Sequence, residues 1–347
     1  MPAHSISSEL DHCGTDLFGY LEQLHTRVAD SDYRRADLIR RRLCFEEVPE
    51  SLSSLAKDWS ITYQRVQQLI EPALNAIQGS RGYLDCRSAF LESLPINASS
   101  LLCDAPCSMT AGWFAQLVSV VSPTREFEMV RSGNQTLLVR PGTETGIVSM
   151  LKLLRRESGR RLLIPAKAAA AELERLRPAE LCPSLIPRLI REAGGHWFDD
   201  WVHMPCLRYP AWAGALSRIL AIRDEIGHEA AWRGIQRNAA RIGSRLFNVE
   251  AKPSAECIAA CVHGHLGFEA DEFCIRGAEE ISSETLLDLE RIWANALCLD
   301  NQSVDNLISR SSAAGFGRSY ARNLLSTTPV LNAIGRGEYE LVGGCLQ

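Results

Sequence analysis

The sequence predicts a mainly α-helical protein with short β-hairpins: an N-terminal helix-turn-helix domain followed by tandem winged-helix-like units. Three observations predict it. Residues 51–70, SLSSLAKDWSITYQRVQQLI, place Leu52, Leu55, Ala56 and Trp59 at helical spacing, break at Ser60, and resume with Ile61, Val66, Leu69 and Ile70. Four later segments end alike, in TLLVRPG, MPCLRYP, EFCIRGA and YELVGG, with Arg140, Arg208 and Arg276 spaced by 68 residues and Val342 following 66 later. Each ending closes an apolar segment interrupted by a polar or glycine-containing turn, which is a hairpin signal, and a helical segment lies just ahead of it.

Taken in order, residues 7–45 hold two expected helices, one carrying Leu10, Leu17, Leu21 and Leu24, the other Leu38, Ile39 and Leu43. They are expected to pack on the helix-turn-helix and complete a domain over residues 1–78. Arg34, Arg35, Arg40, Arg41 and Arg42 give the second helix a basic face, suited either to phosphate or simply to solvent. Within the helix-turn-helix, Ala56 is small where two helices must approach, Ser60 takes the turn position usually held by glycine, and Thr62 is placed to N-cap the second helix. That helix leaves Tyr63, Gln64, Arg65, Gln67 and Gln68 for contact. Glutamine can bond adenine through two atoms, arginine can bond guanine or phosphate, and tyrosine can reach the backbone.

Residues 34–77 resemble region 4 of bacterial primary sigma factors. The family has a basic helix, then T-L-x-E-I-G, then a G-[VI]-T-R-E-R-V-R-Q-I-E helix ending in A-L-x-K-L. This chain has RRADLIRRRL (34–43), SLSSLA (51–56), SITYQRVQQLIE (60–71) and ALNAI (73–77), about an eighth of its length. The resemblance implies that Tyr63, Gln64, Arg65, Gln67 and Gln68 occupy the positions that read a promoter's upstream element. Two arginines and the glutamate of the family's R-E-R-V-R-Q are replaced here, and no segment resembles the sigma region that melts a promoter. The expectation is therefore a DNA-binding regulator rather than a working sigma factor.

Helical periodicity stops at Ile77, and Gly79-Ser80-Arg81-Gly82 reads as a linker. Beyond it, expected helices at 109–121, 184–193, 254–263 and 317–326 each precede a hairpin, at 126–140, 195–208, 265–276 and 331–342. A helix followed at once by a two-stranded ribbon is the plan of a winged helix, so the chain divides into units at 83–142, 143–210, 211–278 and 279–347. An α+β domain with an accidental period is the alternative. The last unit is clearest: helices over 304–308 and 318–325, a wing over 334–342, and an ending that loosely resembles the C-terminal winged-helix modules found beside sigma-like domains in bacterial proteins. It also carries the cations expected of a DNA-reading unit, Arg318, Arg322 and Arg336, with Asn323. The first unit has Arg125 and Arg131 but an apolar helix. The third has Glu256, Glu269, Asp271 and Glu272, which repel phosphate, so DNA contact is expected at the two ends and packing or protein contact between them.

A chain of 347 residues with 46% hydrophobic and 23% charged content has ample material for several packed domains. No apolar run is long enough to span a membrane, and the N-terminus lacks the plan of a signal peptide, so a cytoplasmic location is expected, with the twelve cysteines reduced. A net charge of −5 weighs against a chain coated by nucleic acid but permits a local basic face.

Catalysis and metal binding are the competing classes. Phosphate-binding loops, H-E-x-x-H helices and G-x-S-x-G elbows are absent from the sequence. Asp199 or Asp200 with Glu250 and Lys252 could serve a magnesium-dependent nuclease. Cys257, Cys261, His263, His265 and Cys274 could hold zinc. One repeat earlier, however, Leu189 and Ala193 stand where Cys257 and Cys261 do, and Cys206 where Cys274 does, which favours core thiols; Cys103 and Cys107 have no histidine near them. The Ala-rich run 166–176 reads as a surface helix available for an oligomer contact. No metal or other cofactor is expected.

The resulting expectation is a non-enzymatic, sequence-specific DNA-binding protein, a bacterial or phage transcription regulator. Gln64, Arg65, Gln67 and Gln68 would enter the major groove of double-stranded DNA, while Arg40, Arg41, Arg42 and Lys57 meet phosphates. Arg318, Arg322 and Arg336 would add a second contact, and a homodimer would read a palindrome. The alternative is a scaffold holding RNA polymerase or a co-encoded protein.

Overall fold

The computed structural model describes residues 4–43, 50–100, 110–122, 124–206, 209–241, 252–263, 265, 267–279, 281–297, 302–335 and 337–342. Among them are fifteen α-helices and twelve short strands, so the chain is mainly helical with small antiparallel sheets. Contacts divide it into two compact units, Met1–Val148 with Arg177–Ala193, and Ser149–Leu176 with Gly194–Gln347.

The chain opens with four helices: α1 (His4–Ser31), α2 (Tyr33–Leu43), α3 (Leu52–Asp58) and α4 (Tyr63–Gln78). One order of elements then recurs. It runs α5 (Arg81–Ser93), β1 (Ile96–Asn97), α6 (Ala111–Val121), β2 (Glu128–Ser132), β3 (Gln135–Val139); then α7 (Glu144–Arg161), β4 (Ile164–Pro165), α8 (Ala166–Leu176), α9 (Ile186–Glu192), β5 (His196–Trp197), β6 (Trp201–His203). It continues with α10 (Ala211–Leu220), β7 (Glu225–Gly227), α11 (His228–Arg241), α12 (Ala255–His263), β8 (Phe268–Ala270), β9 (Cys274–Gly277); then α13 (Asp288–Leu297), β10 (Gln302–Ser303), α14 (Val304–Ala313), α15 (Arg318–Leu325), β11 (Leu331–Gly335), β12 (Glu338–Leu341). Each round is helix, short strand, one described helix (in the first round) or two (in the others), then hairpin, and each makes a three-stranded sheet in which the first strand pairs with the last: β1-β3-β2, β4-β6-β5, β7-β9-β8 and β10-β12-β11. The expected helices ahead of the hairpins correspond to α6, α9, α12 and α15, displaced by a residue or two at their ends.

The hairpin turns follow from their residues. Gly133 (φ 68°), first of the two residues between β2 and β3, takes the left-handed conformation that lets a two-residue turn match strand twist, and Gly337 (φ 82°), just before β12, is left-handed as well. In the third sheet Asp271 does this work with its side chain, accepting the Phe273 and Cys274 N–H groups at 2.8 Å.

In the first unit one apolar core runs from Leu17 and Leu21 through Leu38, Ile39, Leu55, Val66 and Ile77 to Tyr83, Phe90, Phe114 and Leu138. Phe90 meets Phe114 and Phe127 edge-on at 5.3 and 5.8 Å, the geometry favoured by ring quadrupoles. The expected linker at 79–82 is corrected here. Gly79 caps α4, and Ser80 N-caps α5 while its hydroxyl donates to the Ile77 carbonyl at 2.8 Å. The corner is only Gly79 and Ser80, because Tyr83, Cys86 and Phe90 must return at once to the core that Ile77 leaves.

The second unit holds two apolar clusters, one around Trp212, Leu216, Ile235 and Ile275, the other around Trp293, Leu307, Leu324 and Leu331. A buried polar knot lies in this unit. Arg218 donates to Glu290 at 2.9 Å and to Asn238 at 2.8 Å, and Thr328 donates to the same Glu290 oxygen at 2.5 Å. The Leu287 N–H reaches the other carboxylate oxygen at 3.1 Å. Removing one partner of such a pair strands a buried charge, which costs about 3–5 kcal/mol.

Candidate nucleic-acid interface

The stretch from Ser51 to Gln78 is held by caps at both of its helix starts. The Ser54 N–H donates to Ser51 Oγ at 3.0 Å, and the Arg65 N–H donates to Thr62 Oγ1 at 3.2 Å, as the sequence leads one to expect for Thr62. Between the helices Ser60 has φ 52°, the conformation that glycine usually supplies. The Ile61 N–H donates to the Ala56 carbonyl at 3.0 Å and closes the corner.

This fixes which face of α4 is presented. Val66, Ile70, Ala73 and Ile77 are buried, whereas Tyr63, Gln64, Arg65, Gln67 and Gln68 are exposed. Arg65 Nη1 donates to Gln68 Oε1 at 3.4 Å, so the two side chains lie together at the edge of that face. Two features escaped the sequence reading. Glu71 is exposed one turn beyond Gln67 and Gln68, and Pro72 inside the helix has no N–H for the Gln68 carbonyl. Arg35 reaches across to donate its Nε–H to the Leu69 carbonyl at 2.8 Å.

The expectation of one basic face on α2 is corrected. Arg34 lies over the Trp59 ring at 5.9 Å, and Arg35 serves α4. Arg41 bonds both Glu50 oxygens, at 2.5 and 2.7 Å, and Asp58 at 2.6 Å. Those hydrogen bonds hold the Glu50 carboxyl below its usual range and raise the Arg41 guanidinium above its own. Arg42 donates to the Glu50 carbonyl at 2.7 Å. Arg40 and Lys57 are exposed. The arginines fail to form one face because helical rotation turns them in different directions, and carboxylates from the next segment reach Arg41.

In the last round of elements, α15 buries Ala321, Leu324 and Leu325 and exposes Arg318, Ser319, Tyr320, Arg322 and Asn323. No carboxylate lies on this helix. Arg336 lies outside the described residues. The corresponding exposed positions of α12 include Glu256 and His263, and its hairpin carries exposed Glu269, Asp271 and Glu272.

The competing chemistry is not brought together. Cys261 is buried, and burial pushes its thiol up. His265 lies among the rings of Tyr209, Trp212 and Phe268, and His263 is exposed at the end of α12. Among the described residues no group of three or more His, Cys, Asp or Glu side chains is placed to hold a metal. Asp199 and Asp200 are exposed on the bend between β5 and β6, Lys252 pairs with Glu229, and Glu250, Cys103 and Cys107 lie outside the described residues. No described helix is long and apolar enough to cross a membrane. No protein-family model, curated protein or solved structure matches the chain.

Proposed function

We propose that the chain is a sequence-specific DNA-binding protein, a transcription regulator of bacterial or phage type, in which α3 and α4 act as a helix-turn-helix. The observation that carries this reading is the exposed face of α4. Tyr63, Gln64, Arg65, Gln67 and Gln68 project from the first turns of a helix whose start is capped and whose opposite side is core. The first turns of a recognition helix are the part that meets base edges. Arg40 and Lys57, both exposed, then serve phosphates, and Arg41, which holds two carboxylates, orders the domain.

The four recurring rounds, each closing its hairpin with the strand that precedes its middle helix, support a reading as winged-helix-like units. In the fourth, α15 is the second DNA contact, through Arg318, Arg322 and Asn323. A homodimer on a palindromic site fits a regulator of this kind.

Selection of bound fragments from random double-stranded DNA, followed by gel shifts across a salt series, tests the proposal. A preferred site is expected, lost with Arg65→Glu. Absence of preference for any fragment at low salt sinks it. The reading as a scaffold for RNA polymerase or a co-encoded protein draws on Glu71 in the α4 face and the acidic third hairpin; it gains if the chain is captured by polymerase yet ignores DNA.

A further inference from the structure

The third hairpin carries a feature that neither packing nor DNA contact uses. Phe273, between β8 and β9, is 74% exposed. Its backbone is also fixed. Asp271 accepts hydrogen bonds from the Phe273 and Cys274 N–H groups, and His228 Nδ1 is 3.1 Å from the Phe273 carbonyl, which sets the hydrogen as donated by the imidazole. Those backbone bonds hold the Asp271 carboxyl below its usual range. Glu269 and Glu272 are exposed on the same hairpin, and Arg276 is engaged with Glu225 at 3.0 Å and with Asp271 at 3.6 Å. The tip is thus an exposed aromatic knob in an acidic collar, on a backbone that its own hydrogen bonds hold. Phosphate is repelled by such a tip, whereas an exposed aromatic on an ordered backbone is what protein interfaces use as an anchor.

The same unit holds a groove of the opposite character. Between α7 and α8 a cleft of about 620 Å³ is lined by Lys152, Leu153, Arg156, Glu172, Arg175 and Leu176. Its apolar content comes from Leu153 and from Leu176, which is 38% exposed. Three cations and one carboxylate rim it, and Arg156 and Arg175 hold Glu157 and Glu172 at 2.9 and 3.2 Å while keeping most of their surface in water.

We propose that this groove receives the Phe273 tip of a second copy of the chain, reciprocally, giving a twofold dimer with two knob-in-groove contacts. Charge complementarity selects this occupant: the collar is acidic where the rim is basic, and the ring meets the leucines. Reciprocal exchange about a twofold axis makes both contacts at once and closes the assembly. The contact is tested on protein alone, so its failure is separate from any failure to bind DNA.

Sedimentation velocity of the full chain over a concentration series is expected to show a dimer. Phe273→Ala should weaken it roughly thirtyfold, as loss of a central aromatic anchor does. Glu272→Arg and Arg175→Glu should each give mainly monomer when alone. Mixed in equal amounts, these two variants should associate again, because one heterodimer contact carries the exchanged charges and the other is native. Since all three sites are exposed, circular dichroism should match the parent. A parent that stays monomeric, a dimer indifferent to Phe273→Ala, an open-ended polymer, or a mixture that fails to associate would overturn the proposal.

Discussion

At the scale of single residues, conformation and protonation carry the sharpest consequences. Ser60 sits at φ 52°, where a side chain is crowded and glycine is not. Ser60→Gly should therefore raise stability by roughly 0.5–1 kcal/mol, and Ser60→Val should lower it by about 1–2 kcal/mol, read as opposite shifts in melting temperature. His203 supplies a pH dependence. It is buried, its Nδ1–H donates to the Leu162 carbonyl at 2.7 Å, and burial pushes its pKa down to about 4. The unfolded chain binds this proton near pH 6.5, before the folded chain does, so stability is fully present above that pH and is lost as pH falls toward 4. The loss amounts to about 3 kcal/mol at most. Urea unfolding at pH 7 and pH 5 should show it, and His203→Gln should flatten the dependence in that window.

At the scale of elements, α4 carries an internal defect. Pro72 removes one helical hydrogen bond, and Arg35 attaches to the carbonyl of the neighbouring Leu69. Pro72→Ala should restore the missing donor and raise the melting temperature by an amount corresponding to about 1–3 kcal/mol. Much at this scale was legible in the sequence. Apolar spacing gave α3 and α4 and their turn, Thr62 declared itself as a cap, and the recurrent endings fell on or beside the last strand of three ribbons, the second ribbon finishing at His203 ahead of its MPCLRYP ending. The first strand of every sheet was not legible. Two or three residues such as Ile96–Asn97 or Gln302–Ser303 have no periodicity, and their pairing with Leu138 or Tyr339 depends on partners far along the chain. The carboxylates around Arg41 escaped for the same reason: a basic run announces itself locally, whereas Asp58 meets it only once α3 has folded beside α2.

At the scale of the whole molecule, the proposed interface is sparing with charge. The chain has a net charge of −5, and Arg40, Lys57, Arg65, Arg318 and Arg322 are the described cations assigned to DNA. If each displaces one counterion, the logarithm of affinity should fall with the logarithm of salt at a slope of about −4.5. Gel shifts or anisotropy titrations at several salt concentrations measure it. A slope twice as steep would place additional phosphate contacts on other elements. The sequence alone located cations but not the carboxylates that hold one of them, because Glu50 and Asp58 reach Arg41 only once the segment after α2 has folded beside it.

The short first strands have a mechanical meaning. Ile164 is joined to Val202, and Ile226 to Ile275, so the part of a round that follows its first helix is stapled end to end by a few backbone bonds. Tension applied along the chain reaches those bonds before it reaches the helices they enclose. Each round should then give way abruptly, releasing its enclosed length in one extension step, and the force trace of a single stretched molecule should record the recurrence as a series of discrete rips.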